Sequence, residues 1–588
     1  MGASSVGPDD PRRLPVISAG PDGSGSPGPP LLDGDASPEE LVIAYHERTK
    51  HHLHAFAAAL GYMDWATQPD PFRRYAGAPL LRLPLPEAAA APAYDDLYRP
   101  GRVAPAPLSL ASVSRFFRAS LSLTAWKRAG DTTWSLRANP SSGNLHPTEA
   151  YAVLPALEGL HDRPGVYHYA PKPHGLERRA ELATWPARLA AGAFLVGLSS
   201  VHWREAWKYG ERAFRYCQHD VGHALAALRI AAAALGWRLS LVSGAGDDTV
   251  ARLFGLDRQG DFGAAEREAP ELVAVVTPAV EPAAPPQPTD EALADVHAVA
   301  WSGRANRLSP EHAVDWPVID EVARATRRAP GAPIREDLAG IAAPVELVGR
   351  EVSADRVILG RRSAVAMDGT TSIPAETFFR MLARLVPDRD GRAMPWDAIA
   401  WAPRLHLGLF VHRVAGLEPG LYALVRDPDR LEPLRAALRG DFLWQKPTSC
   451  PPGLALYLLQ PGDCRALASH VSCGQDLAGA GAFSLGMLAD YMDSLVTHGA
   501  AFYRQLFWEA GMIGQVLYLE AEAASVRGTG IGCYFDDLVH QAFGIASREW
   551  QSFYHFSVGG PLEDTRLQTW PAYPPPAAAA GLGRHDAP

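Results

Sequence analysis

The sequence predicts a duplicated α+β protein, because the same features recur in the same order in its two halves. Pro164-Gly165-Val166-Tyr167 leads into His174-Gly175-Leu176-Glu177, and Pro419-Gly420-Leu421-Tyr422 leads into Arg430-Leu431-Glu432. Each reads as a hairpin-like turn between strands, with glycine supplying backbone freedom. Further on, a stretch at 220–237 parallels 511–530; both carry small and apolar residues at helical spacing and stop at a glycine. Placing Gly222-His223 on Gly514-Gln515 relates the two by 514 − 222 = 292 positions and sets Gly236 on Gly528. An Asp pair and a short apolar unit follow in both halves, Asp247-Asp248 to Leu253–Leu256 and Asp536-Asp537 to Ala542–Ile545. β-like runs at 271–276 and 552–560 close them.

Composition sets the boundaries. Residues 1–36, rich in Gly, Pro, Ser and Asp, have too little apolar surface to offset ordering entropy and are expected to be disordered. A Pro/Ala stretch at 277–292 reads as a linker between a first domain, 37–276, and a second, 293–570, with a Pro/Ala-rich tail at 571–588. The 588 residues are 47% hydrophobic and 20% charged, with a formal net charge of −10, so disorder throughout is excluded. Mild acidity without a basic stretch argues against a general binder of nucleic acid or membrane surfaces. Five cysteines, an odd number with no CxxC pair, fit reduced thiols better than a disulfide framework or a zinc site. No apolar run approaches the ~18 residues of a membrane span, and no signal-peptide pattern is visible, so a cytoplasmic protein is expected.

The most informative segment is Arg137-Ala138-Asn139-Pro140-Ser141-Ser142-Gly143-Asn144-Leu145-His146-Pro147-Thr148-Glu149-Ala150-Tyr151. Pro and Gly fix a tight backbone there, leaving N–H groups and hydroxyls able to bond an anionic or heteroaromatic ligand. A well-capped structural loop has the same composition. The segment strongly resembles the R-x-x-P-S-x-G-x-x-x-P-x-E-x-Y signature of SagB/ThcOx-type dehydrogenases, FMN flavoproteins of the nitroreductase superfamily. That resemblance runs from about Leu108 to Val276, through PGVYHYAPKPHGLE and WKYGERAFRYCQHDVGHAL. In the second half, Arg361-Arg362-Ser363 and the stretch 509–537 resemble the same superfamily.

The resemblance implies a duplicated nitroreductase-like fold, a mostly antiparallel central sheet flanked by helices, with the two domains forming an intramolecular pseudo-dimer. It implies FMN at their interface, with Arg361, Arg362, Ser363, Gly528, Thr529 and Gly530 of domain 2 facing Arg137, Ser141, Ser142, Gly143 and Asn144 of domain 1. The arginines would take the flavin phosphate. On sequence alone, Arg361-Arg362 also reads as a solvated pair. The reciprocal site looks degraded: domain 1 offers Arg118 and Ser120, but domain 2 has AMPWDAIAWAPRLHL at 393–407 where the serine loop belongs. One FMN per chain is therefore expected.

Lys208 and Tyr209 resemble the general base and proton relay of azoline dehydrogenases. Adjacent residues on a helix point about 100° apart, so the pair need not share a target. Thus the resemblance implies an FMN-dependent dehydrogenase acting on a small molecule or a peptide-borne substrate. An NAD(P)H-dependent reductase, or a flavin-degenerate scaffold in a peptide-modifying complex, are the rivals; NAD(P)H or O2 would be the redox partner. His219 and His223 stand at i, i+4, but no carboxylate or cysteine completes a ligand set, so no metal is expected. The Lys50-His51-His52 segment reads as a structural strap or as an arm reaching the active site. Cys473 and Cys533 read as reactive thiols or, by default, as buried structural cysteines.

Overall fold

The computed structural model of the chain describes residues 31–32, 35–85, 91–186, 189–190, 192–278, 287–331, 334, 336, 351–388 and 393–573. The expected disordered segment, apart from 31–32 and 35–36, lies outside the described residues, as do 279–286 of the linker and 574–588 of the tail.

Helix α1 (Pro38–Arg48) starts at Ser37, whose hydroxyl accepts from Glu40 N while the Glu40 carboxylate accepts from Ser37 N. Helix α2 (Leu110–Ser120) and a hairpin of β1 (Leu123–Ala129) and β2 (Thr132–Arg137) precede the serine loop. Strands β3 (Thr148–Leu154), β4 (Gly165–Ala170), β5 (Gly175–Leu182) and β6 (Phe194–Ser200) lead into helices α3 (His202–Tyr209) and α4 (Ala213–Ala233). Strands β7 (Arg238–Leu241), β8 (Ala269–Thr277) and β9 (Ala298–Trp301) complete the first sheet. Its order is β9-β5-β4-β3-β6-β8-β7, with Leu80–Arg82 also on β5, and every pairing is antiparallel.

In the second half, α5 (Ala354–Gly360) delivers Arg361. Strands β10 (Leu405–Val411), β11 (Gly420–Leu424), β12 (Leu456–Pro461), β13 (Phe483–Asp490), β14 (Arg527–Ile531) and β15 (Trp550–Gly559) pair in the order β12-β11-β10-β13-β15-β14, again antiparallel. Helix α6 (Phe502–Ala523) lies between β13 and β14 in sequence. Finally β16 (Gln568–Pro571) returns to the first half and pairs with β1.

The two sheets share one core. Leu225 and Leu228 of α4 belong to the same apolar cluster as Phe507 and Ile513 of α6, and strand residues of both sheets join them. The helices cross where both carry glycine. A Cβ on Gly222 would sit 2.2 Å from Trp508 O, and one on Gly511 would sit 2.2 Å from His219 O. Gly511 follows Gly222 by 511 − 222 = 289 positions, as Trp508 follows His219, so the crossing is symmetric. The same interval relates Phe194 of β6 to Phe483 of β13, α3 to the helix Tyr491–His498, and Asp247–Phe254 to Asp536–Phe543. It also relates two buried ion pairs, Arg215 with Asp536 at 2.9 Å and Arg504 with Asp247 at 2.7 Å, each joining the two halves. The duplicated fold is therefore a pseudo-dimer in one chain.

Four sequence expectations are corrected. The repeat interval in the helices is 289, not 292: Gly222 corresponds to Gly511, and Gly236 to Ser525, both with positive φ (68° and 59°). Two Gly-containing turns of one Ala-rich helix look alike in sequence, and only the crossing tells which glycine makes contact. The 430–432 segment begins a helix, Leu431–Ala437, and β11 pairs with β12 instead of closing a hairpin there. Residues 298–301, assigned to the second domain, extend the first sheet as β9, and 568–571 extend β1. Composition marks where apolar residues thin out; it does not say which sheet edge the next strand joins. Lastly, the 528–530 glycines form edge strand β14, not a loop.

Substituting Gly222→Val should destabilise the chain by about 2–3 kcal/mol or prevent folding, because the Trp508 backbone cannot give way. Gly260→Ala, where a Cβ meets nothing within 4 Å, should melt with the wild type; thermal unfolding of both variants checks this.

Candidate active site

The serine loop folds on itself. Gly143 and Asn144 adopt positive φ (58° and 60°), which turns the chain sharply between β2 and β3. Ser141 Oγ accepts from His146 N at 2.7 Å, and Asn144 Nδ2 donates to Ser135 O at 3.0 Å. Ser142 donates through both N (3.1 Å) and Oγ (3.3 Å) to Asp220 Oδ1 on α4. These side chains thus set the loop's shape within the first half. Arg137 is buried against Phe72, its side chain donating to Pro71 O.

Gly143 is the point where the predicted residues meet. An added Cβ would lie 2.7 Å from the Tyr209 hydroxyl and 3.2 Å from Lys208 Nζ. Lys208 and Tyr209 therefore converge on one spot despite their divergence on α3. The helix end accompanies this: Gly210, at φ 52°, stops α3 at Tyr209, and Ala58 and Ala59 pack against that turn.

Two carboxyls stand behind them. Glu205 lies one turn before Lys208, fully buried, and neither of its oxygens has a hydrogen-bond partner. Burial, then the nearby Asp220, pushes its carboxyl well above the ordinary range, opposed by Lys208. Burial also raises Asp220 to about 7, against the hydrogen bonds from Ser141 and Ser142. Lys208 is pulled below its ordinary 10.5 by burial, and Glu205 only partly restores it. Tyr209 is held well above 10, by burial first and Glu205 next.

From Tyr209 a wall of rings runs along one face of α4. Tyr216 lies 4.3 Å from Tyr209, and His219 stacks on Tyr554 at 4.1 Å. Tyr216, His219, Asp220 and His223 share this face at helical spacing. His219 Nε2 meets Phe553 O at 2.9 Å and His223 Nε2 meets the Tyr554 hydroxyl at 3.3 Å.

At the far end the second half contributes. Arg361 donates to Arg137 O (2.9 Å) and Ala138 O (3.2 Å) and lies over Tyr518. Arg362 reaches Thr124 of the first half at 3.3 Å. The Tyr518 hydroxyl accepts from Ser363 Oγ (3.0 Å) and Gly530 N (2.9 Å), and Thr529 Oγ1 donates to Ala364 O at 2.5 Å. Ser363 also bridges to Gly528. Arg361 and Arg362 thus meet the root of the serine loop, whereas Ser141, Ser142 and Asn144 are occupied elsewhere. Burial lowers Arg361 to about 10 and also lowers Arg362; Lys127 is lowered by burial and then by Arg362. Arg527 adds to this cationic cluster, which Glu522 and Glu563 only partly offset.

The equivalent position in the other half is filled differently. The 289-residue interval sets Thr497 and His498 where Lys208 and Tyr209 stand. Arg404 packs there against His498 (3.0 Å), Glu336 (2.5 Å) and Asp493 (3.2 Å), while Glu509 accepts from Arg404 N as Asp220 does from Ser142 N. In the first half Arg118 turns back to Ser122 and Leu123, and Ser120 bonds Phe116 O. The Lys50-His51-His52 segment straps the first half to the second: Lys50 pairs with Asp537 at 3.1 Å and His51 N donates to Asp536 at 3.0 Å.

An anionic, ring-bearing cofactor fits these residues. Crowded cations suit a phosphate, and buried polar atoms without partners lie on the serine loop or on the residue it bonds: Asn139 Oδ1, His146 Nδ1 and Asp220 Oδ2. Sequence reasoning missed Glu205, Tyr216, Asp220, Tyr518 and Lys127. A signal existed for two: Glu205 is i−3 to Lys208, and Asp220 is the one acid in α4.

Because Asp220 is raised to about 7 in the folded chain against an ordinary 3.8, it favours folding below pH 3.8, and that stability is lost as pH rises through about 7. Asp220→Asn should remove this dependence. Denaturant melts at pH 5 and pH 8 should show the wild type losing more than about 1 kcal/mol relative to the variant.

No protein-family model matches the chain, and no curated protein matches it. Among solved structures, it is similar to a candidate nitroreductase from Anabaena variabilis, with 21% identity over 89% of this chain and 99% of that one, and a TM-score of 0.64. Others are a candidate nitroreductase from Ralstonia eutropha (14% identity, 40% of this chain and 97% of that one, TM-score 0.27) and the E. coli microcin synthetase McbBCD complex (15%, 34% and 69%, TM-score 0.26). Within the described residues no helix is long and apolar enough to cross a membrane. The chain has a duplicated nitroreductase-like fold, with antiparallel sheets flanked by helices.

Proposed function

We propose that the junction of the two halves binds one FMN per chain, and that the chain is an FMN-dependent dehydrogenase of the SagB/ThcOx type. Its substrate would be an azoline-class heterocycle on a small molecule or a peptide, which loses a hydride and a proton. The observation that carries this reading is the convergence of Lys208 and Tyr209 on Gly143 of the serine loop.

Arg361, Arg362 and Ser363, with Lys127 and Arg527, would hold the phosphate, and the loop backbone at 139–146 with Gly528–Gly530 would border the ring. FMN, when bound, supplies acceptance of the hydride. Lys208 takes the proton that leaves with it; burial weakens its own hold on a proton, so Nζ is available as a base at lower pH than a solvated lysine. Tyr209 keeps its phenol proton and donates a hydrogen bond toward the same point. Glu205 sits one turn behind Lys208, where burial favours its neutral form.

The reciprocal position is plugged by Arg404, Glu336, Asp493 and His498, which supports a single site. Flavin released from purified chain should approach one FMN per chain; two would show that the plugged side also binds. A chain that stays colourless with added FMN would overturn the reading. An azoline-bearing peptide mixed without oxygen should bleach the oxidised-flavin bands, whereas bleaching by NAD(P)H alone would favour a reductase. Lys208→Ala should retain FMN and lose about 10²–10⁴-fold in kcat. The wild-type rate should climb with pH along a limb set by Lys208, below the ordinary 10.5, and this limb should vanish in the variant.

A further inference from the structure

Five cysteines are distributed unequally. Cys217, Cys450 and Cys464 are buried, while Cys473 and Cys533 are only partly so, which corrects the expectation that both are buried structural residues. The two partly exposed cysteines also lie on paired segments, although 60 positions separate them (533 − 473): the 471–475 loop is bonded to the stretch that carries Cys533.

Their backbones are held together from both sides. Phe535 N donates to Val471 O at 2.9 Å, and Gln475 Nε2 donates to both Cys533 O and Ser472 O at 2.9 Å. Ser472 is in turn anchored to His555 at 3.2 Å. Cys473 has φ 54° and precedes Gly474 at φ 70°, a left-handed pair that a non-glycine residue rarely enters. Cys473 and the Arg212 cation favour the thiolate of Cys533 against burial, while Cys473 itself is pushed up. No group of three or more His, Cys, Asp or Glu suited to a metal occurs among the described residues, so the pair is not part of a metal set.

We propose that Cys473 and Cys533 form a reversible dithiol–disulfide pair that closes on reaction with hydrogen peroxide. The Cys533 thiolate attacks one peroxide oxygen; the S–O bond forms, the O–O bond breaks, and hydroxide leaves and takes a proton as water. The Cys473 sulfur then displaces the sulfenic hydroxyl, which departs as a second water with the remaining thiol proton. Two thiols are oxidised by two electrons and one peroxide is reduced to two waters. The pair borders the candidate active site: Gly532, next to Cys533, packs on Tyr216, whose ring lies 4.3 Å from that of Tyr209. Closing the bridge ties the end of β14 to the 471–475 loop. The inference does not depend on flavin binding.

The test uses the full chain, reduced and freed of reductant, then given a small excess of hydrogen peroxide. Arg504 and Arg527 lie between the two cysteines, so trypsin releases them on separate peptides. Mass spectrometry should find those peptides joined, with thiols per denatured chain falling by two and returning on dithiothreitol treatment. Cys473→Ser should leave Cys533 as a dimedone-reactive sulfenic acid, since its partner cannot displace the hydroxyl. Retention of all five thiols, oxidation of either cysteine to sulfinic or sulfonic acid without the joined peptides, or a bridge to another cysteine would each overturn the pair.

Discussion

Two helices touch backbone to backbone where Gly222 meets Trp508 and Gly511 meets His219, and the rest of the molecule is arranged around that contact. No side chain larger than hydrogen fits at either position, so α4 and α6 approach until their main chains are in contact. This closeness merges the apolar residues of both sheets into one core, which neither half could bury alone. It also brings β14 and the Arg361 segment of one half beside the serine loop of the other. Sequence-distant groups share a cleft because two glycines let the halves come together.

Symmetry of the backbone coexists with asymmetry of the chemistry. The buried pairs Arg215–Asp536 and Arg504–Asp247 occupy equivalent places and join the halves twice over. Burial opposes ionisation of Asp536, but Arg212 and Arg215 outweigh it and hold the carboxylate charged. Such pairs contribute little against a well-packed apolar alternative, yet removing one partner strands the other, which fixes how the halves align. At the equivalent ends of α3 and the helix Tyr491–His498 the chemistry diverges. Lys208 and Tyr209 face a glycine and a partly unpaired polar wall, whereas His498 is enclosed by Arg404 and its acids. Asp220 and Glu509 do one job in both halves, each accepting from a backbone N–H of a preceding loop, so the scaffold persists where the groups at the helix ends differ.

Burial governs the candidate site's electrostatics. It raises Asp220 and Glu205, lowers Lys208, and leaves the cations at the far end with too few acids. Each effect is what desolvation does to an ionisable group, and together they leave a lysine with a weakened hold on its proton at one end and partly offset cations at the other.

Much was legible in the sequence. The repeated turns, Ala-rich helices, Asp pairs and closing strands specified two α+β halves, since those signals are local and set by spacing. The serine loop, Arg361-Arg362-Ser363 and Lys208-Tyr209 were legible as motifs. What the tertiary structure decided is where these residues meet. Ser141, Ser142 and Asn144 turn inward to shape the loop, a matter of which acceptors, such as Asp220 and Ser135 O, the fold brings near. The true interval of 289 depended on which glycine lies at the crossing, and the sheet joined by residues 298–301 depended on an available edge. Cys473 and Cys533 became neighbours only through the pairing of the 471–475 loop with the segment after β14. Local propensity and spacing are written along the chain; contact between distant segments is fixed by which surfaces can be buried together.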